Sequence, residues 1–266
     1  MNTIKLVSLI CFSAFVSSAI SAGLPTGDTI AKNINARNEG IAVARLLKME
    51  MTDRRGKTRV RETRAFRKYF GDEKRTAIYY LKPKNIKDTA FLTYDYADKK
   101  KDDDQWLYLP AMRKVRRISA SDRGDYFLGT DFSYEDIKLE TRVSFKDYTR
   151  KTLGESEVDG VHCYLIEETA IDNETAEELG HLRRESCVDN SIWIVRKSQY
   201  WDLQNKLLKT TYFRDISKVQ GIWTAHKIEV ENHKTGHKTV FTFSDVDYSE
   251  SVSDRVFTQN ALKRGL

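Results

Sequence analysis

The sequence lacks the short motifs that mark most enzymes and nucleotide-binding proteins. It has no Gly-x-Ser-x-Gly elbow, no phosphate-binding glycine loop and no His-Glu-x-x-His helix. Its five histidines are scattered, and the only i,i+4 pair, His233 and His237, flanks a predicted turn at Gly236 rather than lying on a helix. We therefore expect neither catalysis nor a metal or organic cofactor. A hydrolase acting on lipids is kept only as a minor alternative.

A strong excess of one charge is also missing. There are 45 Lys and Arg residues against 39 Asp and Glu residues, a formal net charge of +6. The basic residues are spread along predicted strands and are not gathered on one helix. This mild excess favours acidic partners or anionic lipid head groups, and we do not expect a nucleic acid as partner.

Long apolar runs are absent too, since a membrane-spanning helix needs about 20 apolar residues. The run over residues 6–16 is shorter, follows Lys5 and precedes small residues that end at Ala22. This is the layout of a cleavable secretory signal peptide. We predict a signal peptide over residues 1–22, with cleavage after Ala22 or alternatively Ala19. Residues 23–266 would then form a single exported domain.

From Gly40 onward, apolar and polar residues alternate in short runs bounded by Gly, Asp and Asn clusters. The pattern predicts about eleven strands, with short helices near residues 27–38, 134–137 and 254–262. A mainly β protein with an antiparallel sheet, sandwich or barrel follows. We interpret residues 171–190 as a polar insertion that is helical over residues 174–182.

Two cysteines remain after removal of the signal peptide, Cys163 and Cys187. An even number of cysteines in an oxidising compartment suggests a disulfide bond. Two unpaired, buried thiols are the alternative.

Residues 106–118 (Trp-Leu-Tyr-Leu-Pro-Ala-Met-Arg-Lys-Val-Arg-Arg-Ile) and 129–136 (Gly-Thr-Asp-Phe-Ser-Tyr-Glu-Asp) carry a family resemblance. They are similar to signature stretches of the periplasmic outer-membrane lipoprotein-sorting proteins, the LolA-like superfamily. Residues 221–224, 233–239 and 257–258 support it, so the resemblance covers nearly the whole mature chain. The chain resembles the larger branch, which is often found beside exporters of the resistance-nodulation-division type.

The resemblance implies a strongly curved, half-open antiparallel sheet, an unclosed barrel, with short helices forming a lid over an apolar cavity. It also implies a monomeric carrier that passes a lipid, or the acyl chains of a lipoprotein, between membrane partners without covalent chemistry. An inner-membrane resistance-nodulation-division exporter is one expected partner. The alternative function is a lipid-sensing module that regulates envelope signalling.

Aromatic and aliphatic residues on the strands and in the following loop are the expected ligand contacts, although an ordinary core would use the same residue types. The expected contacts are Tyr79, Leu81, Leu92, Tyr94, Trp106, Tyr108, Phe127 and Phe132.

Arg113, Arg116 and Arg117 make one strand basic on both faces, so it cannot lie wholly inside a dry core unless its charges are paired. We expect this strand to rim the opening, where it contacts lipid head groups or pairs with acidic residues of the lid loop (residues 122–135).

The cysteines give the first testable prediction. If Cys163 and Cys187 are bonded in the exported protein, thiol labelling under denaturing, non-reducing conditions finds no free thiol. Two labelled cysteines per mature chain would contradict the pairing.

Overall fold

The protein, described here from a computed structural model over residues 23–98, 100–249 and 251–266, is built around one antiparallel sheet of thirteen strands. The predicted signal peptide lies outside the described residues. The strands are β1 Ala42–Thr52, β2 Thr58–Phe70, β3 Glu73–Lys82, β4 Ala90–Asp95, β5 Asp104–Leu109, β6 Lys114–Ile118, β7 Tyr148–Val158, β8 Val161–Ala170, β9 Arg183–Asp189, β10 Val195–Trp201, β11 Leu207–Val219, β12 Ile222–Asn232 and β13 His237–Asp247.

The sheet has the order β6-β5-β4-β3-β2-β1-β13-β12-β11-β10-β9-β8-β7 and does not close into a barrel. Strands β1 and β13 pair in the middle, with Leu47 opposite Phe243 and Met49 opposite Phe241. The two edge strands, β6 and β7, follow each other in the chain. Residues 119–147, which join them, therefore have to run from one edge of the sheet to the other.

Four short helices accompany the sheet, and no helix in the described part of the chain is long and apolar enough to cross a bilayer. They are α1 Gly27–Ala36, α2 Tyr134–Leu139, α3 Asn173–Leu179 and α4 Gln259–Arg264. Helix α2 begins at a capping box, in which Ser133 and Asp136 each accept a hydrogen bond from the other's backbone N–H. Helix α3 ends at Gly180, whose φ of +71° suits a glycine at this position.

The two faces of the sheet are both apolar but are covered by different parts of the chain. On the inner face, residues 127–137 pack against strands from both halves of the sheet. The inner core contains Leu47, Met49, Ala65, Ile78, Tyr80, Phe91, Leu107, Ile118, Phe127, Phe132, Tyr134, Ile137, Ile228, Val230, Phe241 and Phe243. On the outer face, the C-terminal residues Val252, Phe257, Ala261 and Leu262 pack against β1, β3 and β4.

The predicted fold class, a mainly β protein with a curved open sheet and short helices, is confirmed, with thirteen strands instead of about eleven. The interpretation of residues 171–190 as an insertion is wrong for its second half, because Arg183–Asp189 forms β9 inside the sheet. The charged residues of this segment argue against a strand in the sheet. The structure accommodates it by pairing the buried Arg184 with Glu168 of the neighbouring strand.

The predicted disulfide is present and joins two neighbouring strands. Cys163 lies on β8 and Cys187 on β9, with their Cα atoms 5.4 Å apart. This separation lies within the usual range for disulfides.

Candidate functional site

The inner face of the sheet contains a small cavity beneath helix α2. Its free volume of about 60 Å³ equals that of about two water molecules in the liquid. Its apolar lining consists of Leu47, Ala65, Ile78, Phe132, Ile137, Leu139, Phe213, Ile228, Phe241 and Phe243. Its polar lining consists of Arg45, Thr76, Asp136, Glu140, Arg142, Arg184, Tyr200 and Thr211. The site is therefore an apolar surface with a polar rim, nearly filled in this conformation.

A larger cleft of about 490 Å³ adjoins this cavity. Its lining is more polar and includes Lys138, Lys146 and Asp103. Leu139 and Arg142 line both the cleft and the cavity. The C-terminal end of α2 therefore forms the wall between them, and movement of this one helix would join the two spaces.

We call residues 119–147 the lid segment, because they lie over the inner face between the two sheet edges. Aromatic packing holds the middle of this segment. The ring of Phe127 lies 5.0 Å from that of Phe91 on β4, measured between centroids, and Tyr134 lies 5.7 Å from the same ring. Phe132 stacks on Phe241 of β13 at 4.1 Å. The lid segment thus contacts both halves of the sheet.

Ion pairs with little solvent exposure tie the lid segment to three other parts of the fold. They are Asp136 with Lys209 of β11, Glu140 with Arg45 of β1 at 2.7 Å, and Lys138 with Asp103 of the β4–β5 loop at 2.6 Å. Burial alone would raise the pKa of Asp136 and Glu140. The pKa of Asp136 is lowered because Lys209 outweighs burial, and that of Glu140 because Arg45 and Arg67 do. Both carboxylates are thus held in their charged form.

Glu135 is less well satisfied than its neighbours. It is buried, and its cations are Lys138, whose Nζ lies 2.8 Å from Oε1, and Arg123, whose Nη1 lies 3.9 Å from Oε2. Burial raises its pKa in spite of these two cations. Arg123 is bound more closely by Asp147, at 2.9 Å, and Glu178, at 3.0 Å. One charge inside the lid segment therefore opposes the closed position.

The predicted ligand contacts fall on opposite faces of the sheet. Phe127 and Phe132 lie on the inner face. Five others lie on the outer face, beneath or beside the C-terminal residues; they are Tyr79, Leu92, Tyr94, Trp106 and Tyr108. Leu81 is half-buried and lies at an irregularity in the β2–β3 pairing. The hydroxyls of Tyr79 and Tyr94 donate to the carbonyls of Val256 and Phe257, both at 2.6 Å. The two groups therefore cannot line one cavity.

The predicted basic strand lies at an edge of the sheet. Arg117 pairs with Asp104 of the neighbouring strand at 2.5 Å. Arg113 and Arg116 are exposed and form no ion pair within the described ranges. In the predicted lid loop, Glu135 pairs with Lys138 and Arg123 instead, and Asp131 accepts hydrogen bonds from Asn232 and Thr239. Head-group contact by this strand stays a prediction.

A family model described as an uncharacterized protein matches residues 72–264, and the chain belongs to that family. Two solved structures share the fold over almost their whole length. A DUF1329 family protein from Desulfovibrio piger is 29% identical, with a TM-score of 0.81, over 89% of this chain and 97% of that one. A candidate outer-membrane lipoprotein-sorting protein domain from Vibrio parahaemolyticus is 27% identical, with a TM-score of 0.80, over 90% and 98%.

A LolA superfamily protein from Nitrosomonas europaea is 20% identical, with a TM-score of 0.66, and the match covers 89% of this chain and 99% of that one. The resemblance found in the sequence is confirmed. The protein has the fold of the LolA superfamily. No curated protein matches the chain.

The ion pairs predict how the lid segment responds to loss of one charge. Glu140→Gln leaves the buried Arg45 without a carboxylate, and breaking a buried pair costs about 3–5 kcal/mol. Glutamine keeps an acceptor oxygen, so the loss should fall below this range. We expect amide hydrogen exchange in α2 to accelerate by about ten-fold or more, whereas exchange in β12 stays unchanged.

Glu62→Gln is the matched control, because Glu62 and its partner Lys82 are exposed at the end of a hairpin. Loss of an exposed pair costs about 0–1 kcal/mol and should leave α2 unaffected. Equal exchange in α2 for the wild type and Glu140→Gln would show that this pair does not hold the lid segment.

Proposed function

We propose that this protein is a periplasmic carrier that binds a lipid, or the acyl chains of a lipoprotein, and passes it between membrane partners without covalent chemistry. The observation that carries the proposal is the apolar inner face of an unclosed sheet, covered by one six-residue helix and its loops. The lipoprotein-sorting description of the Vibrio domain, 27% identical, supports it. The predicted signal peptide and the absence of enzyme motifs fit the same function.

Loading requires the lid segment to move. Sites for small organic ligands have volumes of about 300–1,000 Å³, far above the roughly 60 Å³ now free beneath α2. Displacement of Ile137 and Leu139 would expose the inner face and join it to the adjoining cleft of about 490 Å³. An acyl chain would then occupy the space that these lid residues fill in the closed form.

The balance between closed and loaded forms follows from the two kinds of contact in the lid. Burial of an acyl chain contributes about 0.8 kcal/mol per methylene, so a 16-carbon chain gains about 10 kcal/mol before costs are subtracted. Displacing the lid segment loses its apolar contacts and separates its buried ion pairs. The net binding free energy is the gain from burying the acyl chain minus the cost of displacing the lid segment. Because the cost offsets part of the gain, the cargo can pass to an acceptor that binds it more tightly. We include a resistance-nodulation-division exporter as donor or acceptor because of the family resemblance.

Replacement of two alanines by leucine, one on each face of the sheet, tests where the ligand binds. Ala65 of β2 lines the inner cavity, whereas Ala77 of the adjacent β3 is buried on the outer face. We expect Ala65→Leu to occupy the cavity, to change the stability by less than about 1 kcal/mol and to weaken binding of a fluorescent fatty acid at least ten-fold. Ala77→Leu overfills a packed core and should cost about 1–3 kcal/mol, with binding retained.

Thermal unfolding and titration with cis-parinaric acid provide both readouts for each variant. If Ala65→Leu binds the probe as well as the wild type, the ligand does not use this face. If the wild type binds no acyl probe at all, the carrier function itself is rejected.

A further inference from the structure

Arg184 of β9 lines the inner cavity beside Tyr200 of the neighbouring strand β10. We call this part of the lining the polar end of the cavity. Arg184 Nε donates to Oε2 of Glu168 at 2.6 Å, while Arg150 Nε donates to the other oxygen of the same carboxylate at 2.9 Å. All three side chains are at least nine-tenths buried. Two guanidinium groups therefore share one carboxylate, and the one that faces the cavity is only partly neutralised.

Several buried donors among the residues that line the cavity have no acceptor. Arg184 Nη2 forms no hydrogen bond, and the same holds for Arg45 Nε, Arg142 Nε and Thr76 Oγ1, all of which belong to residues that line the cavity. A guanidinium N–H can only donate, and a buried donor without an acceptor costs about 1–3 kcal/mol. The cavity thus offers donors to whatever enters it.

Neither carboxylate of the cavity lining is free to satisfy them. The two acidic residues of the lining, Asp136 and Glu140, are already paired with Lys209 and Arg45. The nearby His181 carries no charge. Its pKa is lowered to about 3 by burial and by the positive charges of Lys209 and Arg184, so it is neutral at physiological pH. The surroundings of the cavity therefore carry a surplus of positive charge in a place shielded from water.

We propose that the polar end of the inner cavity binds the acidic head of an amphiphile, a carboxylate or a phosphate, through Arg184 Nη2. The apolar part would lie along the inner face, on residues such as Ile78 and Phe241. The proposal rests on the proposed carrier function and gives the chemical class of its cargo. A carboxylate or phosphate supplies both the acceptor oxygens and the negative charge that this lining lacks.

The test compares cis-parinaric acid with its methyl ester, which has the same chain but no charge. Binding of both is titrated at pH 8 to the wild type, to Arg184→Met and to Arg183→Met. Arg183 is the matched control, because it lies on the same strand but faces away from the cavity, where it pairs with Glu167 and Glu185. For the wild type and Arg183→Met we expect the acid to bind at least ten-fold more tightly than the ester, and for Arg184→Met we expect a ratio near one.

Arg184→Met leaves Glu168 with Arg150 as its remaining buried cation, so folding is checked by thermal unfolding. The double variant Glu168→Gln/Arg184→Met removes both ends of the pair and should also show a ratio near one. Because the acid and the ester are compared on the same protein sample, the ratio does not depend on the folded fraction. Retained preference for the acid in both variants would overturn the proposal.

The wild-type result separates this proposal from the carrier function on which it rests. Equal binding of acid and ester would show that water fills the polar end, and would overturn the head-group site while leaving the carrier function intact. Failure to bind either probe would reject both. Competition then identifies the head, since displacement of the probe by palmitate assigns a carboxylate site and displacement by lysophosphatidic acid a phosphate site. Both results support recognition of an acidic head.

Discussion

The structure depends on how an unclosed sheet covers its inner face. Thirteen strands end in two separate edges, β6 and β7, and the chain itself connects those edges across the interior. The connecting residues 119–147 must therefore bury the apolar inner surface, which a closed barrel would seal with side chains alone. The same residues stand where a ligand would lie, so folding and binding compete for one surface.

The way in which this segment is held suits such competition. Apolar contacts through Phe127, Phe132 and Ile137 are non-directional and could be made equally well by an acyl chain. The ion pairs of Asp136 and Glu140 are directional and fix one closed position. Buried ion pairs contribute little net stability once desolvation is counted, so they specify the closed form without making it much more stable. A lid built only from packed aliphatic residues would be harder to displace.

Much of the fold could be predicted from the sequence, because alternation and turn residues mark most strands directly. Which face is inner could not, since β3, β4 and β5 are apolar on both faces: Tyr79 and Leu92 lie outside, whereas Ile78 and Phe91 lie inside. Alternation with a period of two shows which residues share a face of the strand, but not which of the two faces is the inner one. The outer apolar face exists because the C-terminal residues cover it, and that contact joins positions nearly two hundred residues apart.

The polar lining of the cavity could not be predicted from the sequence for a related reason. Arg45, Glu140 and Arg184 are far apart in sequence and come together only when β1, the lid segment and β9 are in place. Strand β9 itself was missed because its charges suggested a solvated insertion, whereas Arg184 is paired beneath the surface. Charged residues on a strand mark either solvent or a buried network, and the sequence alone does not distinguish them.

The most direct test of the central claim is mass spectrometry of the exported protein purified from the periplasm without detergent. If the inner face is a lipid site closed by the lid segment, native spectra show a bound species that organic extraction releases, and the lipid carries an acidic head. A protein free of lipid under these conditions, and unable to acquire any from vesicles of the same cells, would contradict the account.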